Sequence, residues 1–165
     1  MPIELPLIWL IVLNCAGWPV IQLGLAWLFT RMPESWFDPP ALGFVKLETW
    51  LYDRVFHVKN WKDKLPDAAS WFGGGFAKRE LAATEPAYLQ RFIRETWRGE
   101  LCHWCALAFL PVFFLWNPWW ADGVMAVYAI SANLPCILAQ RHNRIRLRRL
   151  LARKRNPHGF KAVGI

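Results

Sequence analysis

Three long stretches of this chain carry no charged residue: 25 residues from Leu5 to Phe29, 21 from Leu101 to Ala121, and 18 from Gly123 to Gln140. A helix needs about 20 apolar residues to cross a bilayer. The chain has 165 residues, of which 55% are hydrophobic and 16% aromatic, with twelve tryptophans. A soluble domain of that size has too little interior to hide so much apolar surface. The expected fold is therefore an all-α integral membrane protein: three transmembrane helices over about 5–29, 101–118 and 120–140, plus a cytoplasmic interfacial helical segment, in one domain over 1–165. Pro111 and Asn117-Pro118 make the second span the weakest of the three. The first lacks a preceding basic residue and exceeds the usual ~7–15-residue core of a signal peptide, so it is expected to be a retained helix, kinked at Pro19.

The charges set an orientation. Eleven of the twenty Lys and Arg lie in 31–100 and nine in the tail 141–165, while the N-terminal tip and the turn after Trp116 hold only Glu4 and Asp122. Basic residues stay cytoplasmic. Three spans then put the N-terminus outside, with segment 31–100 and the basic tail 141–165 inside, as a multi-pass protein of the cell membrane with a cytoplasmic C-terminus. The net charge of +8 is assigned to anionic lipid headgroups, and no nucleic-acid partner is expected. Cys15, Cys102, Cys105 and Cys136 all fall in apolar spans and read as packing residues. The spacing of Cys102 and Cys105 alone falls short of a zinc site, which usually pairs two such elements, and no metal is assigned.

Within 31–100, Phe44, Leu47, Leu51, Val55 and Val58 recur at three- and four-residue steps, which predicts an amphipathic helix over 42–58, either lying in the headgroup zone or packing on a small cytoplasmic core. His57 to Phe76 follows, with three lysines, two aspartates and Gly73-Gly74-Gly75 between aromatics. It lacks the lysine and hydroxyl that follow the glycines of a phosphate loop, and reads as a loop or a membrane-dipping lid. Glu85-Pro86 marks a helix start, and 87–116 is expected to form one continuous helix entering the bilayer from the cytoplasm.

That helix carries "RETWRGELCHW" (94–104) at its entry. At ~100° per residue, Glu95, Thr96, Gly99, Glu100 and His103 share a face, with the glycine leaving room for a ligand. An ionisable group in a membrane helix usually faces a cavity or a partner, and a carboxylate beside an imidazole orients a general base. The pair Glu100–His103 is therefore the candidate catalytic centre, with Glu95 as a second orienting carboxylate. On the third span Asn133, Gln140 and Arg144 share a face within ~20°, and Asn14 and Gln22 of the first span require partners. His57 with Asp63 or Asp67 is the rival base.

These motifs resemble one family. Arg31-Met32-Pro33, "VKNWKDKLPD" (58–67), "ETWRGELCHW" (95–104) and "NLPCILAQRHNRIR" (133–146) are similar to those of the glycosyl-4,4'-diaponeurosporenoate acyltransferases of staphyloxanthin-type carotenoid biosynthesis, over about 31–149. The resemblance implies transfer of a fatty acyl group from acyl-coenzyme A to a sugar hydroxyl of a glycosylated apolar lipid, with acyl-coenzyme A a substrate and no cofactor. The family pattern falls on Trp61, Lys62, Lys64, Asp67, Glu95, Arg98, Glu100, His103, Trp104, Asn133, Pro135, Gln140, Arg141, Asn143 and Arg144. The catalytic residues expected on that basis are His103 as base, Glu100 or Glu95 orienting it, and Asn133 or Gln140 steadying the oxyanion. Lys62, Lys64, Arg141 and Arg144 are expected on the donor phosphates, and Asp67, Arg98, Gly99 and Asn143 complete the substrate-binding set. Two other readings remain: a non-catalytic membrane adaptor or lipid-binding subunit, and an enzyme using a divalent metal on Glu95, Glu100, His103 and Asp67.

Overall fold

The computed structural model describes residues 3–41, 43, 45–65 and 81–156, and these contain helices and turns without strands. Helix α1 runs over Leu7–Arg31 unbroken through Pro19, about 37 Å at 1.5 Å per residue. A four-residue 3₁₀ turn, Glu34–Phe37, follows. Then come α2 over Val45–Trp50 and α3 over Val58–Trp61. Beyond residue 80 the chain forms α4 over Pro86–Ala108, the short α5 over Leu110–Phe113, and α6 over Trp119–Arg155. At 37 residues, α6 is about 55 Å long. Its apolar half matches a hydrocarbon core, and its arginine-rich half extends well beyond one. Two helices, α1 and α6, are long and apolar enough to cross a membrane. Exposed Leu7, Val20, Val124 and Val127 on these two helices suit a lipid surround.

The helix expected over 42–58 does not form as one piece. After α2 the backbone widens into a π turn over Leu51–Val55, closed by Phe56 N–H donating to the Leu51 carbonyl at 2.9 Å. His57 then adopts a left-handed conformation, φ 46° and ψ 41°, which ends helix propagation. Val58 turns inward as a result and packs with Tyr52 and Ile145 in one buried cluster. The continuous helix expected over 87–116 also breaks, at Phe109. Pro111 has no N–H to offer the Leu107 carbonyl and its ring crowds that turn, so Phe109 and Val112 close tighter bonds to Ala106 and Phe109, at 3.1 and 3.0 Å. The helix start at Pro86, by contrast, lies where Glu85-Pro86 predicts it.

Two further clusters hold the long helices together. At the end near the 114–118 turn, Trp18, Phe113, Met125 and Ala129 pack from α1, α5 and α6. Gly17 permits this, because a Cβ there would lie 3.3 Å from the Phe113 ring. Close backbone approach over small residues is how helices associate in lipid, where no hydrophobic gain is available. At the opposite end Leu89, Phe92, Ile93 and Leu147 join the start of α4 to the arginine-rich half of α6. Each such side chain buried from water stabilises by roughly 1.5–3 kcal/mol.

Candidate functional site

The face of α4 that carries Glu95, Thr96, Gly99, Glu100 and His103 is largely closed. Glu95, Thr96 and Glu100 are buried, and much of the face packs on α6. The Thr96 hydroxyl donates to the Ile93 carbonyl of its own helix at 2.7 Å. Gly99 does not leave space for a ligand: a Cβ there would meet the Gln140 side chain of α6 at 3.2 Å, so the glycine accommodates that amide.

His103 finds its partner on α6. Its Nδ1 lies 2.8 Å from Asn133 Oδ1. The direction of this bond follows from the other half of the amide: Asn133 Nδ2 donates to the Ala129 carbonyl at 2.9 Å, and a carbonyl only accepts. Oδ1 therefore faces His103, Nδ1 is the protonated nitrogen, and in the neutral ring the lone pair resides on Nε2. Gln22 of α1 donates to the same Asn133 Oδ1 at 3.2 Å. Asn133 itself is fully buried, so three helices meet at one amide. The expected orientation of His103 by Glu100 is corrected here, and so is the assignment of Asn133 to an oxyanion, since its amide is committed to Ala129, His103 and Gln22.

Glu100 belongs to a separate network nearer the arginine-rich end of α6. It is ion-paired with Arg144, both almost wholly buried, and lies 3.5 Å from Arg141. Arg141 grips Glu48 of α2 with two bonds, 3.0 and 2.6 Å. Arg144 also stacks over the Trp97 ring at 4.9 Å. Tyr52 sits beside this network. Burial raises its hydroxyl above the ordinary tyrosine range, with Glu48 adding to the rise, so it stays protonated. Glu95 likewise pairs with Arg98 at 2.7 Å, and Arg98 donates onward to the Met32 carbonyl at 3.0 Å while covering the Phe37 ring. Arg94 bonds Asp38 at 2.6 Å, which raises its already high pKa.

The remaining predicted residues are dispersed. Lys62 pairs with its neighbour Asp63, so Asp63 does not orient His57. His57 is exposed, with Nδ1 3.2 Å from the Val55 carbonyl. Lys64 is exposed and Asn143 half-buried. Asp67 and Gly73-Gly74-Gly75 lie outside the described residues. Among the described residues no three His, Cys, Asp or Glu side chains converge as metal ligands, because arginines occupy Glu95 and Glu100. Asn14 meets Asn117 in a reciprocal amide pair of 2.8 and 2.9 Å, with the Trp116 indole donating to Asn14 at 3.1 Å. Glu48 was the residue missed, since on an amphipathic helix it looks like any solvated charge.

The fold and site define a small all-helical protein, two of whose helices are long and apolar enough to cross a membrane, with a tautomer-fixed histidine between its long helices and arginine–carboxylate pairs toward the arginine-rich end of α6. The chain belongs to the glycosyl-4,4'-diaponeurosporenoate acyltransferase family, whose pattern it matches over residues 33–153. The glycosyl-4,4'-diaponeurosporenoate acyltransferase of Staphylococcus haemolyticus is 35% identical over 141 residues, covering 82% of this chain and 81% of that one. Its counterpart in Staphylococcus aureus strain USA300 is 32% identical over 139 residues, covering 81% and 83%. No solved structure matches.

Proposed function

We propose that this protein is a membrane acyltransferase that moves a fatty acyl group from acyl-coenzyme A to a sugar hydroxyl of a glycosylated carotenoid or a similar glycolipid. Family membership supports the acyl transfer and the acceptor class. The observation that carries the mechanism is the 2.8 Å contact between His103 Nδ1 and Asn133 Oδ1, which leaves Nε2 as the basic nitrogen. Nε2 takes the proton of the sugar hydroxyl as its oxygen attacks the thioester carbonyl. The carbon–sulfur bond then breaks, and the departing thiolate recovers that proton from the imidazolium. Gln140, whose amide lies against Gly99 one turn of α4 from His103, is assigned to the oxyanion.

This chemistry belongs in a three-span protein, the second span being the end of α4 with α5. Two features support that depth. The Gln22–Asn133–His103 junction joins this segment to both long apolar helices, and Phe113 packs between Trp18 and Met125. Both basic regions are then cytoplasmic, where a polyanionic donor is available. Arg144 is engaged by Glu100 and Arg141 by Glu48, so both hold helices together, which leaves Lys62 and Lys64 for the donor.

Replacing His103 with alanine tests the reading. A positioned base contributes typically ~10²–10⁴ in rate, so purified His103→Ala should lose at least about two orders of magnitude in acyl transfer while keeping its helical circular dichroism. Near-normal turnover would move the base to His57, whereas a wild-type protein without acyl transfer would return it to the adaptor reading.

A further inference from the structure

A cavity of about 240 Å³ opens between the π turn after α2, the start of α3 and the basic half of α6. Pockets that take a whole small molecule run about 300–1,000 Å³, so this one is sized for a single group of a larger ligand. Lys59, Arg146 and Arg149 line it together with Thr49, Asp53 and His142. Elsewhere the conspicuous arginines of this protein are committed to carboxylates, namely Arg94, Arg98, Arg141 and Arg144. The three cations here are different. Arg149 donates to the Thr49 hydroxyl at 2.8 Å, and among the described residues none of the three is ion-paired with a carboxylate. The one acid present, Asp53, is half exposed and lies 3.6 Å from His142 Nε2. With His142 neutral, three cations against one carboxylate leave the cavity a charge of +2.

We propose that this cavity binds a phosphate monoester, whose dianion matches that charge and whose oxygens suit the guanidinium forks and the ammonium. The inference rests on the proposed acyl-coenzyme A donor for one source of that group, the 3'-phosphate of coenzyme A. The other source is the monoester headgroup of phosphatidic acid. Both present the same chemistry, and they reach the cavity from the cytosol and from the bilayer respectively.

Two titrations separate them, each on the purified full-length protein and on a Lys59→Gln/Arg146→Gln/Arg149→Gln variant. These three side chains are exposed, so the variant is expected to keep the wild-type helical signal and melting profile. The first compares coenzyme A with dephospho-coenzyme A in an uncharged detergent. Wild type should prefer coenzyme A by roughly tenfold or more, the worth of charge-assisted hydrogen bonds, and the variant should not discriminate. The second compares binding of the protein to phosphatidylcholine vesicles with and without phosphatidic acid. A preference seen only there, and lost in the variant, sustains the phosphate site and removes coenzyme A as its ligand. Failure of both comparisons, or preferences that survive in the variant, overturns the site. Acyl transfer by His103→Ala reads the catalytic proposal separately, because that variant retains the cavity.

Discussion

The amide of Asn133 decides which nitrogen of His103 carries the proton. Because Nδ2 is held by the Ala129 carbonyl, the amide has no second orientation that keeps both bonds, and the histidine ring is held by a group that does not titrate. A carboxylate in its place would stabilise the imidazolium more strongly, but it would also place a charge deep in the apolar section, at a cost of several kcal/mol. The prediction at this scale is that Asn133→Leu lowers kcat by a smaller factor than His103→Ala, since the base remains while its tautomer and orientation are lost. KM for the donor should change little, and the rate–pH profile should shift. An unchanged profile with unchanged kcat would reduce Asn133 to a packing residue. His103 was legible in the sequence, because a histidine one turn inside an uncharged run stands out. Its partner was not. Helical spacing reveals which residues share a face, and Glu100 does share that face, but it says nothing about what a second helix sets opposite it. Arg144 claimed the carboxylate and Asn133 the imidazole.

At the scale of elements, the pairing of α4 with α6 organises the protein, and the arginines of α4 fasten the end of α1 to it. Arg98 is central, since it neutralises Glu95 and bonds the Met32 carbonyl where α1 gives way to the Glu34–Phe37 turn. Removing one partner of a buried pair strands the other charge, at about 3–5 kcal/mol, whereas replacing both with apolar groups of similar volume is often neutral. Arg98→Met should therefore lower the melting temperature in detergent sharply, and Arg98→Met/Glu95→Leu should recover most of that loss. A double variant no more stable than the single one would show that the Met32 contact, rather than the charge balance, is what holds α1. The sequence made some helix starts readable: α4 begins at Pro86 as Glu85-Pro86 predicts, and α6 begins at Trp119, close to the expected start of the third span, but it runs on through the basic tail to Arg155. It concealed the breaks that depend on tertiary contacts. Nothing in the apolar spacing of 42–58 distinguishes a straight helix from one that turns at His57, and that turn is held by the burial of Val58 against Tyr52 and Ile145.

At the scale of the whole molecule, one arrangement ties the chemistry to a compartment. Basic residues cluster at the cytoplasmic end of the proposed three spans, and Asn117, Trp119 and Trp120 lie at the other, the two tryptophans exposed at a level suited to an interfacial belt. In the proposed reaction the donor is soluble and anionic and the acceptor lipid-bound, so the base must lie where both reach it, which in the proposed topology is the cytoplasmic half of the helices. Two glycines allow this to be tested without disturbing packing. A Cβ built on Gly43 or on Gly123 meets nothing within 4 Å, and both positions are exposed. In a chain whose Cys15, Cys102, Cys105 and Cys136 are replaced by alanine, Gly43→Cys should react with a membrane-impermeant maleimide only after the cells are opened, and Gly123→Cys should react on intact cells. The reverse pattern would place the basic half of α6 and the cavity beside it on the outer face, away from any cytosolic donor. Labelling of both positions from one side would mean that the segment after Ala108 does not complete a crossing, leaving two spans and a His103 that lies at the surface instead of within the bilayer.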